Sequence, residues 1–123
     1  MNSRTQRILI WAAGIFLACL LGVVWLADLL FFPKGGPPIP SPDGSLTLHT
    51  SIERSHSDPT AYGCVIIEVH DQSAKVLHRE NSHASAFHRW DIAWTSNNEF
   101  RLNSSDIGIY TWTRQPDATW KKQ

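Results

Sequence analysis

Six histidines in 123 residues are the side chains of this chain best suited to chemistry. Glu68 and His70 stand two apart, which puts both on one face of a β-strand. His78, on a returning hairpin arm, approaches them in this reading, giving one carboxylate and two imidazoles of the kind that hold zinc. The competing reading is a solvated sheet face with polar residues at alternate positions. It is preferred, because neither a histidine-bearing helix motif nor paired cysteines accompany the three; no metal and no cofactor is expected. Ser104-Ser105-Asp106 sets hydroxyls beside a carboxylate, but nucleophilic catalysis also needs a histidine base and an orienting acid. No Gly-x-Ser-x-Gly elbow occurs. Asp106 reads as a turn residue and Cys64 as an inert core residue. Asn103-Ser104-Ser105 is a glycosylation sequon that matters only in a eukaryotic secretory pathway. The chain is not expected to be an enzyme.

Trp90, Trp94 and Trp112, with Tyr110 and Phe87, weigh more than the histidines. Large aromatics dominate both cores and interface hot spots. A domain of this size has to find its burial somewhere, so the core reading leads. The alternative is an exposed aromatic patch for a protein partner.

The elements that must position these residues begin with an apolar run from Ile8 to Phe32, whose one charge, Asp28, lies near its far end. Ile8 to Ala27 carries no charge, and at ~1.5 Å per residue that stretch matches the hydrocarbon thickness of a bilayer. Trp11 near one end, with Trp25, Phe31 and Phe32 towards the other, is the distribution expected of aromatic membrane-interface anchors. Residues 8–32 are therefore expected to form a transmembrane helix partnered by lipid. The competing readings are a cleaved signal peptide and a lipoprotein box at Leu17-Ala18-Cys19. An h-region is usually about 7–15 residues long and closes on an A-x-A-like site, and no such site follows Leu26.

Arg4 and Arg7 precede the span and only Lys34 follows it closely. Positive-inside reasoning puts residues 1–7 in the cytoplasm and the C-terminal domain outside, in the periplasm if the span lies in a bacterial inner membrane. Eleven basic and eleven acidic side chains balance, which removes the field a nucleic-acid partner would need. Cys19 falls in lipid and Cys64 in the aqueous domain, so no disulfide joins them in this reading.

Residues 33–43 hold five prolines and two glycines between Pro33 and Pro42, and read as a polyproline-like linker. From residue 44 to 123 the apolar period is two. Leu46, Leu48 and Ile52 mark a first strand, and Tyr62 to His70 gives the strongest β run. Asp71 to Ala74 turns the chain and Lys75 to Arg79 returns as a hairpin partner. Glu80 to Ala86 reads as a polar loop. Strands follow over Phe87 to Thr95, with Trp90, Ile92 and Trp94 on one face, over Glu99 to Asn103 and over Gly108 to Arg114. The fold class is thus mainly β: an N-terminal transmembrane helix followed by a small antiparallel β-meander of about five or six strands.

Ser41-Pro42-Asp43-Gly44, followed by Leu46 and Leu48, is echoed 54 residues later by Thr95-Ser96-Asn97-Asn98, followed by Phe100 and Leu102. With Asp91-Ile92-Ala93-Trp94 ahead of the second copy, the order resembles the blades of Tol-type bacterial β-propellers over Pro40 to Thr113. Ser96 and Asn98 stand where that pattern has proline and glycine. Two blades do not close a propeller, so the resemblance implies blade-like sheets alone. The layout of span, linker and Trp-rich β domain also resembles small bacterial single-pass membrane-anchored proteins. The function expected is that of an anchored β domain that binds or scaffolds another envelope protein, with an open sheet edge as one means. The alternative is an immunity or inhibitor-type protein acting at the outer face of the membrane.

Overall fold

The computed structural model describes residues 2–123, and the chain divides into two compact units, Met1–Phe32 and Pro33–Gln123. The first is one helix, α1 (Ser3–Phe31). Asn2 starts it, because its side chain accepts the N–H of Arg4 at 3.2 Å and so satisfies a donor that has no partner inside the helix. At the other end the N–H of Phe32 donates to the Asp28 carbonyl at 2.9 Å, and Pro33, which has no N–H, ends the helix. The helix begins at Ser3 rather than Ile8, so Arg4 and Arg7 belong to its first turns. Among the described residues it is the one helix long and apolar enough to cross a membrane. Its length and composition suit an anchor and a signal sequence alike.

The second unit is built from eight strands. β1 (Ile39–Pro40), β2 (Leu46–Ile52), β3 (Cys64–Asp71) and β4 (Val76–Ser85) form one antiparallel sheet in chain order. β5 (Trp90–Ser96), β6 (Glu99–Ser104), β7 (Gly108–Arg114) and β8 (Trp120–Lys122) form a second in the same way. The expected β class and meander order hold, but two four-stranded sheets replace a single meander of five or six strands.

The additional strands have physical causes. The expected loop Glu80 to Ala86 is the second half of β4, whose inward positions there are Ser82 and Ala84, both fully buried. Small side chains fit against the facing sheet, and the Ser82 hydroxyl donates to the Val65 carbonyl at 2.6 Å beside a β-bulge in the β3–β4 register. Serine does there what apolar alternation does elsewhere, so the strand leaves no hydrophobic signature. The Pro/Gly stretch at 33–43 is likewise folded onto the sheet. Ile39 and Pro40 pair with Leu48 and Thr47, the Gly36 N–H donates to Thr50 Oγ1 at 2.9 Å, and Gly35 approaches so closely that a Cβ would lie 2.0 Å from the Thr50 carbonyl oxygen. Pro40 is tolerated because β1 is an edge strand.

One core joins the two sheets. Leu46, Leu48, Val65, Ile67, Val69 and Ala84 come from the first, and Ile92, Phe100, Leu102, Trp112 and Trp120 from the second. Phe100 stacks on Trp112 with ring centroids 5.2 Å apart, and Trp120 lies tilted against Phe100 at 5.3 Å. Four hydrogen bonds link the sheets: Trp94 Nε1 to the Ile39 carbonyl at 2.9 Å, the Asp43 N–H to Asn97 Oδ1 at 2.9 Å, the Ser85 N–H to Asp106 Oδ2 at 3.0 Å, and the Trp112 indole N–H to Glu80.

The two ends of the sheets differ. One carries short turns, three of them fastened by an aspartate that accepts both the N–H and the hydroxyl of a Ser or Thr two residues on: Asp43 with Ser45, Asp71 with Ser73, Asp117 with Thr119. The other end carries the long connection 53–63, the crossing 86–89 between sheets and the corner 105–107. Asp58 repeats the same turn with Thr60 there.

Candidate binding surface

The structure does not gather the zinc reading's three residues on one face. Glu68 and His70 share the side of β3 away from the core, their Oε2 and Nε2 atoms 3.5 Å apart, and His49 of β2 stacks on His70 with centroids 3.9 Å apart. His78 is the register partner of Val69, a core residue, and so points to the opposite side of the sheet. There its Nε2 lies 3.4 Å from Glu80 Oε2, the carboxylate that also takes the Trp112 indole. The β-bulge between Val69 and His70 fixes that parity, and hairpin spacing in the sequence does not reveal a bulge. Among the described residues no group of three or more His, Cys, Asp or Glu is placed to hold a metal ion.

The tryptophans of the β domain pack in or against its core. Trp112 is wholly buried, and so offers no surface to a partner. Trp94 and Trp90 are half-buried against the core, with Trp94 edge-on to Phe100 at 5.6 Å. Trp11, Trp25 and Phe31 stand exposed on α1, while Phe32 at its cap is buried. Cys64 is half-buried on the side of β3 away from the core rather than within it. Its Sγ–H donates to the Thr60 carbonyl at 3.5 Å, and burial, with the charges of Asp106 and Asp58, pushes the thiol above its usual range. That makes it a poor nucleophile.

The four turn aspartates are held below the usual carboxylate range by the hydrogen bonds they accept. For Asp43 the main cause is the Ser45 N–H, followed by the Ser45 and Ser41 hydroxyls. For Asp58, Asp71 and Asp117 the leading cause is the hydroxyl of Thr60, Ser73 and Thr119 respectively. These carboxylates accept bonds within their own turns and are structural.

The second unit leaves sheet edges at β1, β4, β5 and β8, of which β4 is the longest. β4 is ten residues long and pairs on one side only, with β3. Its far half is blunted: His83, at φ 63°, donates its N–H to Asn81 Oδ1 at 2.9 Å, and the Ser85 N–H is taken by Asp106. Its near half, from Val76 to Asn81, has no such cover. Val76 and Leu77 lie there 45% and 36% exposed. An extended row of backbone donors and acceptors flanked by exposed apolar side chains is what strand addition requires. The aromatic count drew attention in the sequence, whereas these two aliphatic residues, in a run that also holds His78 and Arg79, did not.

At the level of class, the chain is an apolar N-terminal helix followed by a domain of two facing four-stranded antiparallel sheets. Comparison with protein-family models, with curated proteins and with solved structures finds no match.

Proposed function

We propose that this is a single-pass membrane-anchored protein whose β domain holds another envelope protein by adding an extended segment of that partner to β4. The open half-edge Val76 to Asn81, with Val76 and Leu77 exposed beside it, carries the reading. α1 supplies the anchor. Arg4 and Arg7 against Lys34 favour an N-terminus in the cytoplasm and a β domain on the outer side, the periplasm in a bacterial inner membrane. The reading requires no catalytic step.

Main-chain pairing gives such a site its affinity, and the side chains beside it give its selectivity. Polar residues along the rest of β4 confine contact to the near half. A photo-crosslinking residue placed at Leu77 in the full chain, in native membranes, is expected to capture a discrete envelope protein, and one placed at Ile109 is not. A strictly solitary monomer in mild detergent, with no crosslinked species from Leu77, overturns the reading. A reporter fused after Gln123 that is active in the cytoplasm overturns the topology.

A further inference from the structure

The face of the second sheet that is turned away from the core carries a recess of about 260 Å³, lined by Arg89, Asp91, Asn103 and Ser105. Strand parity builds it. Asp91 and Asn103 are register partners in β5 and β6, and the residues on either side of them, Trp90, Ile92, Leu102 and Ser104, turn to the core side. One pleat further on, the Ser105 N–H donates to the Arg89 carbonyl at 2.9 Å, which sets Arg89 beside Ser105 as a second row on the same face. The recess thus brings together a guanidinium, a carboxylate, an amide and a hydroxyl, all on exposed residues.

These four side chains are uncommitted. The aspartates of the turns and corners are spent within the domain: Asp43, Asp58, Asp71 and Asp117 fasten their own turns, and Asp106 takes the Ser85 N–H. Among the described residues, by contrast, none of the four lining side chains makes a hydrogen bond or an ion pair with the rest of the chain. Arg89 and Asp91 carry opposite charges on one face, two residues apart, yet they do not close on each other. The nearest further charges also balance: Arg101 stands one pleat from Asn103 on the same strand face, and Asp106 follows Ser105 at the corner.

The class of ligand follows from that charge pattern. A simple anion would gain Arg89 but meet Asp91, and a simple cation would do the reverse. A zwitterion satisfies both: its carboxylate suits the fork of Arg89 and the Ser105 hydroxyl, and its ammonium donates to Asp91 and to the Asn103 amide oxygen. The volume falls short of the ~300–1,000 Å³ of pockets for drug-sized ligands, so the ligand is small. Ile109, the register partner of Asn103 in β7, is 59% exposed and adds an apolar surface on the same face. We propose that this recess binds a free α-amino acid with an aliphatic side chain, held by Arg89 at its carboxylate and by Asp91 at its ammonium. The site lies in the sheet that does not contain β4, and depends on neither the partner edge nor the anchor.

The test titrates the isotopically labelled full chain, in detergent micelles at neutral pH, with L-leucine as the probe and amide NMR as the readout. Saturable shifts of the Asn103 side-chain amide and of the Asp91 and Ser105 backbone N–H signals are expected, with a Kd in the millimolar range for so exposed a site. Isocaproate, which is leucine without its ammonium, and isoamylamine, which is leucine without its carboxylate, are each expected to bind the unaltered chain roughly tenfold more weakly. Arg89→Gln and Asp91→Asn are each expected to weaken leucine by a similar factor while leaving the ligand-free β6 signals in place. No saturable change at Asn103, or shifts confined to residues away from the recess, overturns the site. Either analogue binding as tightly as leucine overturns the zwitterion, and an unchanged affinity in the two variants overturns the roles given to Arg89 and Asp91.

Discussion

The backbone N–H of Asp43 donates to Oδ1 of Asn97 at 2.9 Å, across 54 residues of chain. The two residues occupy equivalent places in the turns that open the two sheets, and their separation equals the offset of the sequence echo. A local likeness between two turns is thus a physical contact between them. Beyond the turns, Leu46 and Leu48 of β2 and their counterparts Phe100 and Leu102 of β6 all lie in the shared core.

Replacing Asn97 with Ala removes the acceptor and leaves the Asp43 N–H to water. Because the site is exposed, the expected loss of stability is modest, about 0.5–1.5 kcal/mol. Urea denaturation of the full chain in detergent, followed by tryptophan fluorescence, measures it. Asn97→Asp restores an acceptor and is expected to recover most of the loss.

Glu80 and Trp112 are expected to be energetically coupled. Trp112→Phe keeps an aromatic ring stacked on Phe100 but leaves the Glu80 carboxylate to His78 and water, and Glu80→Gln weakens the same bond from the other side. A double-mutant cycle in urea should give a coupling of about 0.5–3 kcal/mol. Additive losses would show that the bond adds nothing to the packing. Trp112→Ala is far more severe, about 3–5 kcal/mol for an emptied core position.

Gly35→Ala tests whether the Pro/Gly segment is part of the folded unit. The new methyl group would meet the Thr50 carbonyl oxygen at 2.0 Å, a backbone atom that has no rotamer to escape through. The segment must lift, breaking the Gly36 to Thr50 bond and the β1–β2 pairing. Faster amide exchange at Gly36 and Ser41, with exchange in β6 unchanged, is the expected result; an unaltered pattern would mean that the segment is a loose linker.

Gly63→Ala should be costly for a different reason. Gly63 has φ 72°, where a side chain is strained, and a Cβ there comes 2.8 Å from the Phe87 ring. A loss of about 1 kcal/mol or more is expected from the backbone alone. Thermal unfolding of Gly63→Ala beside Gly63→Ala/Phe87→Ser separates strain from clash: only the clash is relieved in the double variant.

Acid should loosen the turns. Asp43, Asp58, Asp71 and Asp117 have folded-state values lowered from the ordinary one, so each stabilises the fold at neutral pH. That contribution is fully present above the unfolded carboxylate value of about 3.9, and it is lost as pH falls through the lowered folded values. Changing all four to Asn is expected to lower stability at pH 7 (about neutrality) and to flatten its dependence on pH below about 4. Denaturation midpoints across that range check both effects, and an unchanged slope would assign the acid sensitivity elsewhere.

Much of the molecule is written locally. The charge-free run to Ala27 determines a helix able to span a bilayer, because length and apolarity act residue by residue. Alternation determines β6 and β7 nearly to their ends, as apolar residues at every second position have one face to bury, whereas β5 begins at Trp90 and not at Phe87, which lies in the crossing between the sheets. The sequence also pointed to Trp90, Ile92 and Trp94 sharing a side of β5. What it leaves undetermined depends on partners distant in the chain. β1 exists because β2 is there to pair with it, and the second half of β4 because Ser82 meets the Val65 carbonyl beside a bulge. His78 is separated from Glu68 and His70 by a register shift that no spacing rule contains. The division into two sheets follows from a short crossing at 86–89 that turns one ladder onto the face of another, and only the packing of Phe100, Trp112 and Trp120 against Leu48, Val65 and Ile67 makes that arrangement bury its apolar surface. The tertiary structure therefore decided that the tryptophans of the β domain pack in or against the core and that β4 is the longest of the edge strands, since burial and strand pairing are properties of contacts and not of residues taken in order.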